Sequence, residues 1–333
     1  MLEKNHLSHH IILDCLKKSY GIELTTLTFL PLGADQNASV FKGVTQSLAS
    51  YFIKIKRGHQ HDIGIAIVEL LHQEGILPVI PPINTMDGQS THRIEDFTLV
   101  VYPYMDGEDG FHRPLTDQQW EILGKTLRQV HEIALPPSIQ NSLRREDYSP
   151  KWRDSVRSFY SAIESEPSGD EFAQRLLAFM KMNFRSIQKL VNRSEQLAEQ
   201  IQNEPTEFVL CHSDLHAGNV LIGENNAIHI VDWDDPIIAP KERDLMFIGG
   251  GVGNVWNQPQ ETSHFYKGYG KVDIHPFILS YYRHERIVED IAEYCDDLLL
   301  TAGGENRPAM LQHFIDMFAP MGVVDIAFKT EES

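Results

Sequence analysis

The segment at 211–219 reads CHSDLHAGN and places an aspartate five residues before an asparagine in one loop. In one common type of phosphoryl-transfer loop, an aspartate so placed accepts the proton of the attacking hydroxyl and the asparagine holds a metal ion. Asp214 and Asn219 have this spacing, and His212 stands two residues before the aspartate, at the position of a structural histidine. The pattern predicts transfer of a phosphoryl group to a hydroxyl, with Asp214 as the catalytic base.

A second acidic segment follows in the sequence IHIVDWDD at 228–235. An apolar strand there ends at Asp232, eighteen residues after Asp214. Magnesium prefers hard oxygen ligands, takes few of them from protein and completes its shell with phosphates and water. Alone, the segment would be typical of a solvated acidic turn; beside the Asp214 loop it predicts Asp232 and Asn219 as Mg²⁺ ligands, with ATP as the phosphoryl donor.

A lysine on a strand is the third element of this chemistry. In YFIKIKR, Ile53 and Ile55 point to one face of the strand, so Lys54 points to the other, where it can contact the nucleotide phosphates. The preceding segment PLGADQN offers Gly33 and Asp35 in a loop whose backbone N–H groups could cover the phosphates. No G-x-x-x-x-G-K-[ST] motif occurs, which argues against a P-loop fold.

The elements that must position these residues differ between the two parts of the chain. After a helix at Leu7–Tyr20, the first hundred residues are mainly strands, predicted at Leu24–Leu32, Ala38–Val44, Ser50–Lys56 and Phe97–Tyr104. The remainder is mainly helical, with helices predicted at Thr116–Glu132, Lys151–Glu164, Glu171–Gln202, Glu261–Tyr269, Pro276–Leu300 and Ala309–Phe318. One strand-rich island carries the Asp214 and Asp232 loops. The pattern predicts an α+β fold.

Composition narrows the range of partners. The 333 residues include 29 Lys and Arg against 47 Asp and Glu, and the net charge of −18 would repel nucleic acid and anionic lipid while attracting cations. Cys15, Cys211 and Cys295 form neither a disulfide framework nor a zinc motif, which is typical of a reducing compartment. No leader or membrane-spanning run is visible, so we expect a soluble, cytoplasmic protein.

Several stretches together resemble the aminoglycoside phosphotransferase family over nearly the whole chain. They are HSDLHAGN, IVDWDD, the ERDL that follows, LGKTLRQVHE and FYKGYG. The resemblance implies a two-lobed, protein-kinase-like fold. It places a small β-rich, nucleotide-binding lobe at 1–101, a hinge at 102–107, and a larger helical lobe with the catalytic and substrate sites at 108–333.

The resemblance also assigns roles to further residues. The linker Tyr102, Pro103, Tyr104 and Met105 would receive the adenine through its backbone, and Asp244 would brace the catalytic loop without touching substrate. The helix after Lys54 lacks the usual glutamate partner, which falls near Gly64; Asp62 and Glu69 are the candidate substitutes.

Two stretches, KERDLMFIGGGVGNVWN and SYYRHERIVEDIA, resemble family members that phosphorylate an aminocyclitol antibiotic of the spectinomycin type. Such an acceptor is cationic, and the residues expected near it are Asp234, Asp235, Trp256, Glu285, Glu289 and Asp290. We therefore expect a monomeric antibiotic-resistance kinase that uses ATP and Mg²⁺, with a small cationic aminocyclitol as its partner and neither nucleic acid nor membrane.

Three alternatives remain open at this point. A kinase of a cellular amino alcohol or sugar, such as choline, homoserine or a fructosamine, would share the catalytic residues, and a choline pocket would need an aromatic cage. A protein kinase fits less well because neither D-F-G nor A-P-E occurs. From another class, an inactive nucleotide-binding scaffold is disfavoured by the intact Asp214, Asn219 and Asp232.

Overall fold

A computed structural model describes residues 7–31, 38–58, 63–165, 169–301 and 306–330, without the side chain of Asn254. Within those residues the chain forms two compact units. Among the described helices, none combines the length with the apolar character that crossing a membrane requires.

The first unit, here termed the N-terminal unit, contains the described residues of Met1–Asp109 and Asn219–Asp235. The second, termed the helical unit, contains those of Gly110–Gly218 and Pro236–Ser333. The segment with Asn219 and Asp232 therefore belongs to the N-terminal unit, although it lies far along the sequence. The lobe and hinge boundaries expected from the sequence remain a prediction.

The N-terminal unit is built on an antiparallel sheet with the strand order β1-β2-β3-β5-β4. Its strands are β1 (Leu24–Leu30), β2 (Ala38–Thr45), β3 (Ser50–Arg57), β4 (His92–Ile94) and β5 (Phe97–Pro103). A smaller antiparallel sheet joins β6 (Gly107–Asp109), β9 (Val220–Gly223) and β10 (Ile228–Ile230) in the order β10-β9-β6. The helices are α1 (His9–Cys15), continued by a π-helical turn at Leu16–Tyr20, and α2 (Ile63–Gln73).

Strand β3 shows why Lys54 faces away from the core. Ile53 and Ile55 are completely buried among the apolar side chains of α1 and β5, as the period-2 alternation predicts. Lys54 lies between them on the opposite face, and a one-residue change of register would exchange the two faces. The predicted orientation of this strand is confirmed.

The helical unit holds eleven α-helices among its described residues. They are α3 (Asp117–His131), α4 (Pro137–Gln140), α5 (Lys151–Ser158), α6 (Tyr160–Glu164), α7 (Glu171–Met182), α8 (Phe184–Ile201), α9 (Glu242–Leu245), α10 (Pro259–Tyr269), α11 (Pro276–Cys295), α12 (Arg307–Asp316) and α13 (Val323–Thr330). A small sheet has the order β7-β11-β8, with β7 (Arg144–Arg145), β8 (Val209–Cys211) and β11 (Ile237–Ala239). Strands at the N-terminus and helices in the C-terminal part confirm the predicted α+β class.

Helix α11 is the central helix of this unit. Its apolar residues, including Ile287, Val288 and Ile291, are buried in a core shared with α5, α7, α8, α12 and α13. Burial of such side chains is the main favourable contribution to folding, at about 25 cal/mol per Å² of apolar surface. The core therefore fixes the rotation of α11 about its own axis. That rotation sets the direction of the charged residues on the other faces of the helix.

Helices α3 and α10 approach closely through two glycines. A side chain at Gly124 would overlap the carbonyl oxygen of Phe265, and one at Gly268 would overlap that of Glu121. Thr116 caps α3 through a reciprocal capping box, which fixes where this helix begins. Only glycine allows backbones to approach to this degree.

Two long predicted helices are each broken in the structure. The segment expected as one helix at Glu171–Gln202 divides at Asn183, whose φ of −100° and ψ of 12° are not helical. Its side-chain amide donates to the carbonyl of Phe179 at 3.0 Å, satisfying an acceptor at the end of α7. The predicted helix at Lys151–Glu164 divides similarly after Ser158. Periodicity alone does not reveal such breaks, because both halves keep an apolar face.

Candidate active site

In the N-terminal unit, two lysines and two aspartates form what we term the lysine–aspartate group: Lys54, Lys56, Asp232 and Asp234. Nζ of Lys54 lies 2.5 Å from Oδ2 of Asp234 and 3.4 Å from Oδ1 of Asp232. Nζ of Lys56 lies 2.9 Å from the same oxygen of Asp234. Desolvation opposes the charged lysine, yet Asp234 and Asp232 raise the pKa of Lys54.

The loop after β10 presents oxygen ligands for a cation. The backbone N–H of Val231 donates to the carbonyl of Asn219 at 3.0 Å, which brings the Asn219 and Asp232 segments together. Asp232 has a φ of +62°, a left-handed conformation that aspartate tolerates better than most residues. Its side chain is 47% exposed. Carboxylate and amide oxygens are the hard donors that Mg²⁺ selects, so these residues suit that ion.

In the helical unit, Asp214 is held by a cation from α11. Nη1 of Arg286 lies 2.5 Å from Oδ1 of Asp214, and Nε2 of His216 lies 3.5 Å from Oδ2. Desolvation disfavours the carboxylate, but the charges of Arg286 and His216 hold the pKa of Asp214 far below its ordinary value. The carboxylate is therefore ionised throughout the physiological range and can accept a hydrogen bond from a hydroxyl.

A buried carboxylate, Asp244, holds the backbone of the Asp214 loop. Its two oxygens accept hydrogen bonds from the backbone N–H groups of Ser213 and His212, at 2.8 and 2.9 Å. The second oxygen also contacts Nε2 of His131 at 3.0 Å. Asp244 is fully buried, and desolvation is outweighed by these hydrogen bonds, which lower the pKa of its carboxyl. The contacts make Asp244 a part of the loop's support.

Ser213 has a backbone conformation that favours glycine, with a φ of +75°. We expect Ser213→Gly to change the free energy of unfolding by less than about 1 kcal/mol, because relief of the left-handed strain offsets the added entropy of the unfolded chain. Ser213→Val should destabilise by about 1–3 kcal/mol, because a β-branched residue fits this conformation poorly. Urea unfolding of the two variants tests this: equal midpoints would contradict it.

Two of the residues expected near an acceptor lie in the core of the helical unit. Glu285 is buried; Arg153 contacts it at 3.2 Å and Ser194 donates to it. Burial raises the pKa of Glu285 to about 7 despite Arg153. Trp256 is buried against Trp120, with ring centroids 5.0 Å apart. Both residues have environments typical of a structural role.

The other residues expected near an acceptor fall into two places. Asp234 belongs to the lysine–aspartate group, and Asp235 is exposed at the end of the N-terminal unit. Glu289 and Asp290 lie on α11: Asp290 accepts from Nε of Arg286 at 2.8 Å, and Glu289 lies 4.0 Å from Nη2 of Arg243. Asp290 is thus linked to Asp214 through Arg286, and Glu289, its neighbour on α11, pairs with Arg243.

The expected adenine linker follows β5. The backbone N–H of Tyr104 donates to the carbonyl of Ser50 at 3.1 Å, and Nζ of Lys42 lies 3.7 Å from the Tyr104 ring centroid. Gly33 and Asp35, expected at the phosphates, lie outside the described residues, as does Asp62. Glu69, the other candidate partner of Lys54, accepts instead from Ser90. The acidic partners that the structure gives Lys54 are Asp234 and Asp232.

Three residues of these groups were not singled out from the sequence. His216 lies within the Asp214 loop, and Lys56 follows Lys54 at the strand spacing of two, which places both lysines on one face. The spacing of Lys54 and Lys56 is thus a signal in the sequence that could have identified Lys56. Arg286 is separated from Asp214 by 72 residues. No local pattern indicates which charged residue of a long helix will reach a distant loop.

Comparison with known proteins places these observations in a family. Residues 28–273 match the model of the phosphotransferase enzyme family, APH. The fold matches the crystal structure of spectinomycin phosphotransferase, APH(9)-Ia, in complex with ADP and spectinomycin. The TM-score is 0.93 and the identity 47%, with 99% of this chain and 100% of that chain covered. Its AMP-bound complex gives a TM-score of 0.89 and 46% identity, covering 98% and 99% of the two chains.

A more distant relative is similar to this chain over most of its length. Protein StrN of Streptomyces griseus is 26% identical over 260 residues, which cover 74% of this chain and 76% of that protein. The similarity extends well beyond the short motifs around Asp214 and Asp232.

Proposed function

Because the chain belongs to the phosphotransferase enzyme family, we propose that it transfers the γ-phosphoryl group of ATP to a hydroxyl of spectinomycin. One observation carries the choice of acceptor: 47% identity over 99% of this chain to a phosphotransferase crystallised with ADP and spectinomycin. Membership of the family makes the chain an enzyme of nucleotide-dependent phosphoryl transfer. The identity of the acceptor, spectinomycin, is what we propose. The product would be a phosphorylated, inactivated antibiotic.

In this proposal Asp214 is the catalytic base. Its carboxylate accepts a hydrogen bond from the acceptor hydroxyl and takes the proton as the new oxygen–phosphorus bond forms. The bond between the γ-phosphorus and the bridging oxygen breaks, and ADP leaves with that oxygen. Because the transition state of phosphoryl transfer is loose, orienting the hydroxyl in line matters more than the basicity of the carboxylate. An aspartate of low pKa is therefore adequate.

The lysine–aspartate group would receive the nucleotide phosphates. Lys54 and Lys56 supply two cations on one face of β3, and both contact Asp234. Asn219 and Asp232 would hold Mg²⁺, which when bound neutralises charge on the phosphate oxygens. The adenine would pair with the linker at Tyr102, Pro103, Tyr104 and Met105, and the phosphates would also meet Gly33 and Asp35.

Carboxylates on α11 suit a cationic acceptor. Spectinomycin carries secondary amines that are cationic at neutral pH. Asp290 contacts the arginine that holds Asp214, and the charge of Glu289 also acts on that arginine. One turn further, partial desolvation and the charges of Glu289 and Asp290 raise the pKa of Glu293 to about 7. An ammonium group in this region would relieve that repulsion. We propose Glu289 and Asp290 as acceptor contacts.

Measurement of ADP release with a panel of acceptors tests the proposal. We expect Mg²⁺-dependent release with spectinomycin at roughly 10² times the acceptor-free rate or more, and removal of Mg²⁺ by EDTA should abolish it. Choline, homoserine and other aminoglycosides serve as matched acceptors. Turnover of choline or homoserine alone would favour a metabolic kinase, and release of ADP without any acceptor dependence would refute acceptor phosphorylation.

A further inference from the structure

Arg286 joins two carboxylates through different edges of its guanidinium. Nη1 contacts Oδ1 of Asp214 at 2.5 Å, while Nε contacts Oδ1 of Asp290 at 2.8 Å. A guanidinium is planar and rigid, so a hydrogen bond at one edge of the group fixes the direction in which the other edge points. Asp290 thus determines where Arg286 points, and Arg286 determines where the carboxylate of Asp214 lies.

The surroundings of Arg286 favour a fixed position over a mobile one. Its side chain is only 21% exposed, and its guanidinium carbon lies 5.7 Å from the ring centroid of Phe247. Asp290 is four residues away on α11, whose apolar face is locked in the core. A surface arginine would lose much side-chain entropy in such a bridge, but here packing has already restricted it.

We infer that Arg286 is a positioning residue for phosphoryl transfer, holding Asp214 in the orientation that receives the acceptor hydroxyl. The inference rests on the proposed function. It adds one residue to the proposed machinery, and that residue lies on α11, the helix that also carries the proposed acceptor contacts. The charged groups that face this pair are Asp290, Glu289 and Glu293 on α11, His216 in the loop and Arg243 on α9.

The pH dependence separates positioning from a merely structural role. Asp214 is active when ionised, so activity is lost as the pH falls through its pKa, which Arg286 lowers. Removing the guanidinium raises that pKa toward the ordinary aspartate value of about 4, so an acid limb should appear near that pH in the variant while wild type keeps its activity there. A residue that only supports the fold would reduce stability without moving the limb.

The test compares Arg286→Gln, Arg286→Lys and wild type by ADP release with spectinomycin between about pH 3 and 8, a range that includes the ordinary aspartate midpoint of about 4. We expect Arg286→Gln to lower kcat roughly 10- to 100-fold with the KM for ATP unchanged, because the base is misplaced while nucleotide contacts persist. Arg286→Lys keeps the charge and should recover the wild-type acid limb but only part of kcat. Arg157→Gln, which removes the arginine–carboxylate pair with Glu195 between α5 and α8, is the control and should match wild type.

A wild-type kcat and an unmoved acid limb in Arg286→Gln would overturn the inference. If wild type itself turns over no acceptor, the proposed function fails. The effect of Arg286 on Asp214 is then tested by a measurement that does not depend on turnover. Carboxyl ¹³C NMR of aspartate-labelled protein follows Asp214 directly, and the Asp214→Asn variant assigns its signal. In Arg286→Gln, but not in wild type, this signal should titrate with a midpoint near the ordinary value of about 4. Identical titration of wild type and variant would equally overturn it.

Discussion

Asp214→Asn should lower turnover by about 10²- to 10⁴-fold while leaving the affinity for ATP close to that of wild type. Asparagine keeps the size of the side chain but cannot take the proton of the hydroxyl. Lys54, proposed to contact the nucleotide, and Asp232, proposed to hold its metal ion, belong to the N-terminal unit and are unchanged. Single-turnover ADP release and calorimetric titration with ATP measure the two quantities separately.

The control for this variant is Asp154→Asn in the same unit. Asp154 is an exposed helix residue paired with Arg157, and its replacement should leave both quantities unchanged. Because asparagine leaves Arg286 with one carboxylate instead of two, melting temperature should be recorded for each variant. Near-normal turnover in a folded Asp214→Asn protein would remove Asp214 from the proposed role.

Asp232→Asn should act through the metal instead. Loss of one anionic ligand should raise the Mg²⁺ concentration needed for half-maximal rate, and at saturating Mg²⁺ turnover should remain about 10²- to 10³-fold low. Lys54 keeps its shorter contact with Asp234, at 2.5 Å, so the lysine should stay in place. Rates measured over a Mg²⁺ series give both effects.

Glu224→Gln provides the matched loss of a carboxylate, because Glu224 is exposed in the turn between β9 and β10 of the same unit. Its Mg²⁺ response should equal that of wild type. A wild-type Mg²⁺ response in Asp232→Asn would rule out Asp232 as a metal ligand, and would leave Asp234 as the carboxylate to test next.

Local patterns predicted the parts of the fold that local physics determines. Alternation in β3 predicted the opposite directions of Ile53 and Lys54, and helical periodicity predicted α3 to within a residue at each end. The Asp214 loop and the Asp232 segment were identified by spacing. In each case the signal and its cause lie within a few neighbouring residues.

The remaining features depend on contacts between distant parts of the chain. The partner of Lys54 was sought on the following helix, whereas the structure supplies Asp234, 180 residues away. Glu285 and Asp290 were indistinguishable as charged residues of one helix, yet one is buried against Arg153 and the other contacts Arg286. Which face of α11 meets the core is decided by packing against the other helices that share this core. Such choices are not encoded within any short window of sequence.

The glycine contact between α3 and α10 affects how genes that encode chains similar to this one should be searched for in genomes. LGKTLRQVHE and FYKGYG contain Gly124 and Gly268, and the close approach of the two helix backbones excludes any larger residue there. Selection for folding alone would preserve both glycines, even in a descendant that had lost Asp214 and its catalytic activity. A genomic search for working resistance determinants should therefore score the codons for Asp214, Asn219 and Asp232, and treat the paired glycines as a marker of ancestry.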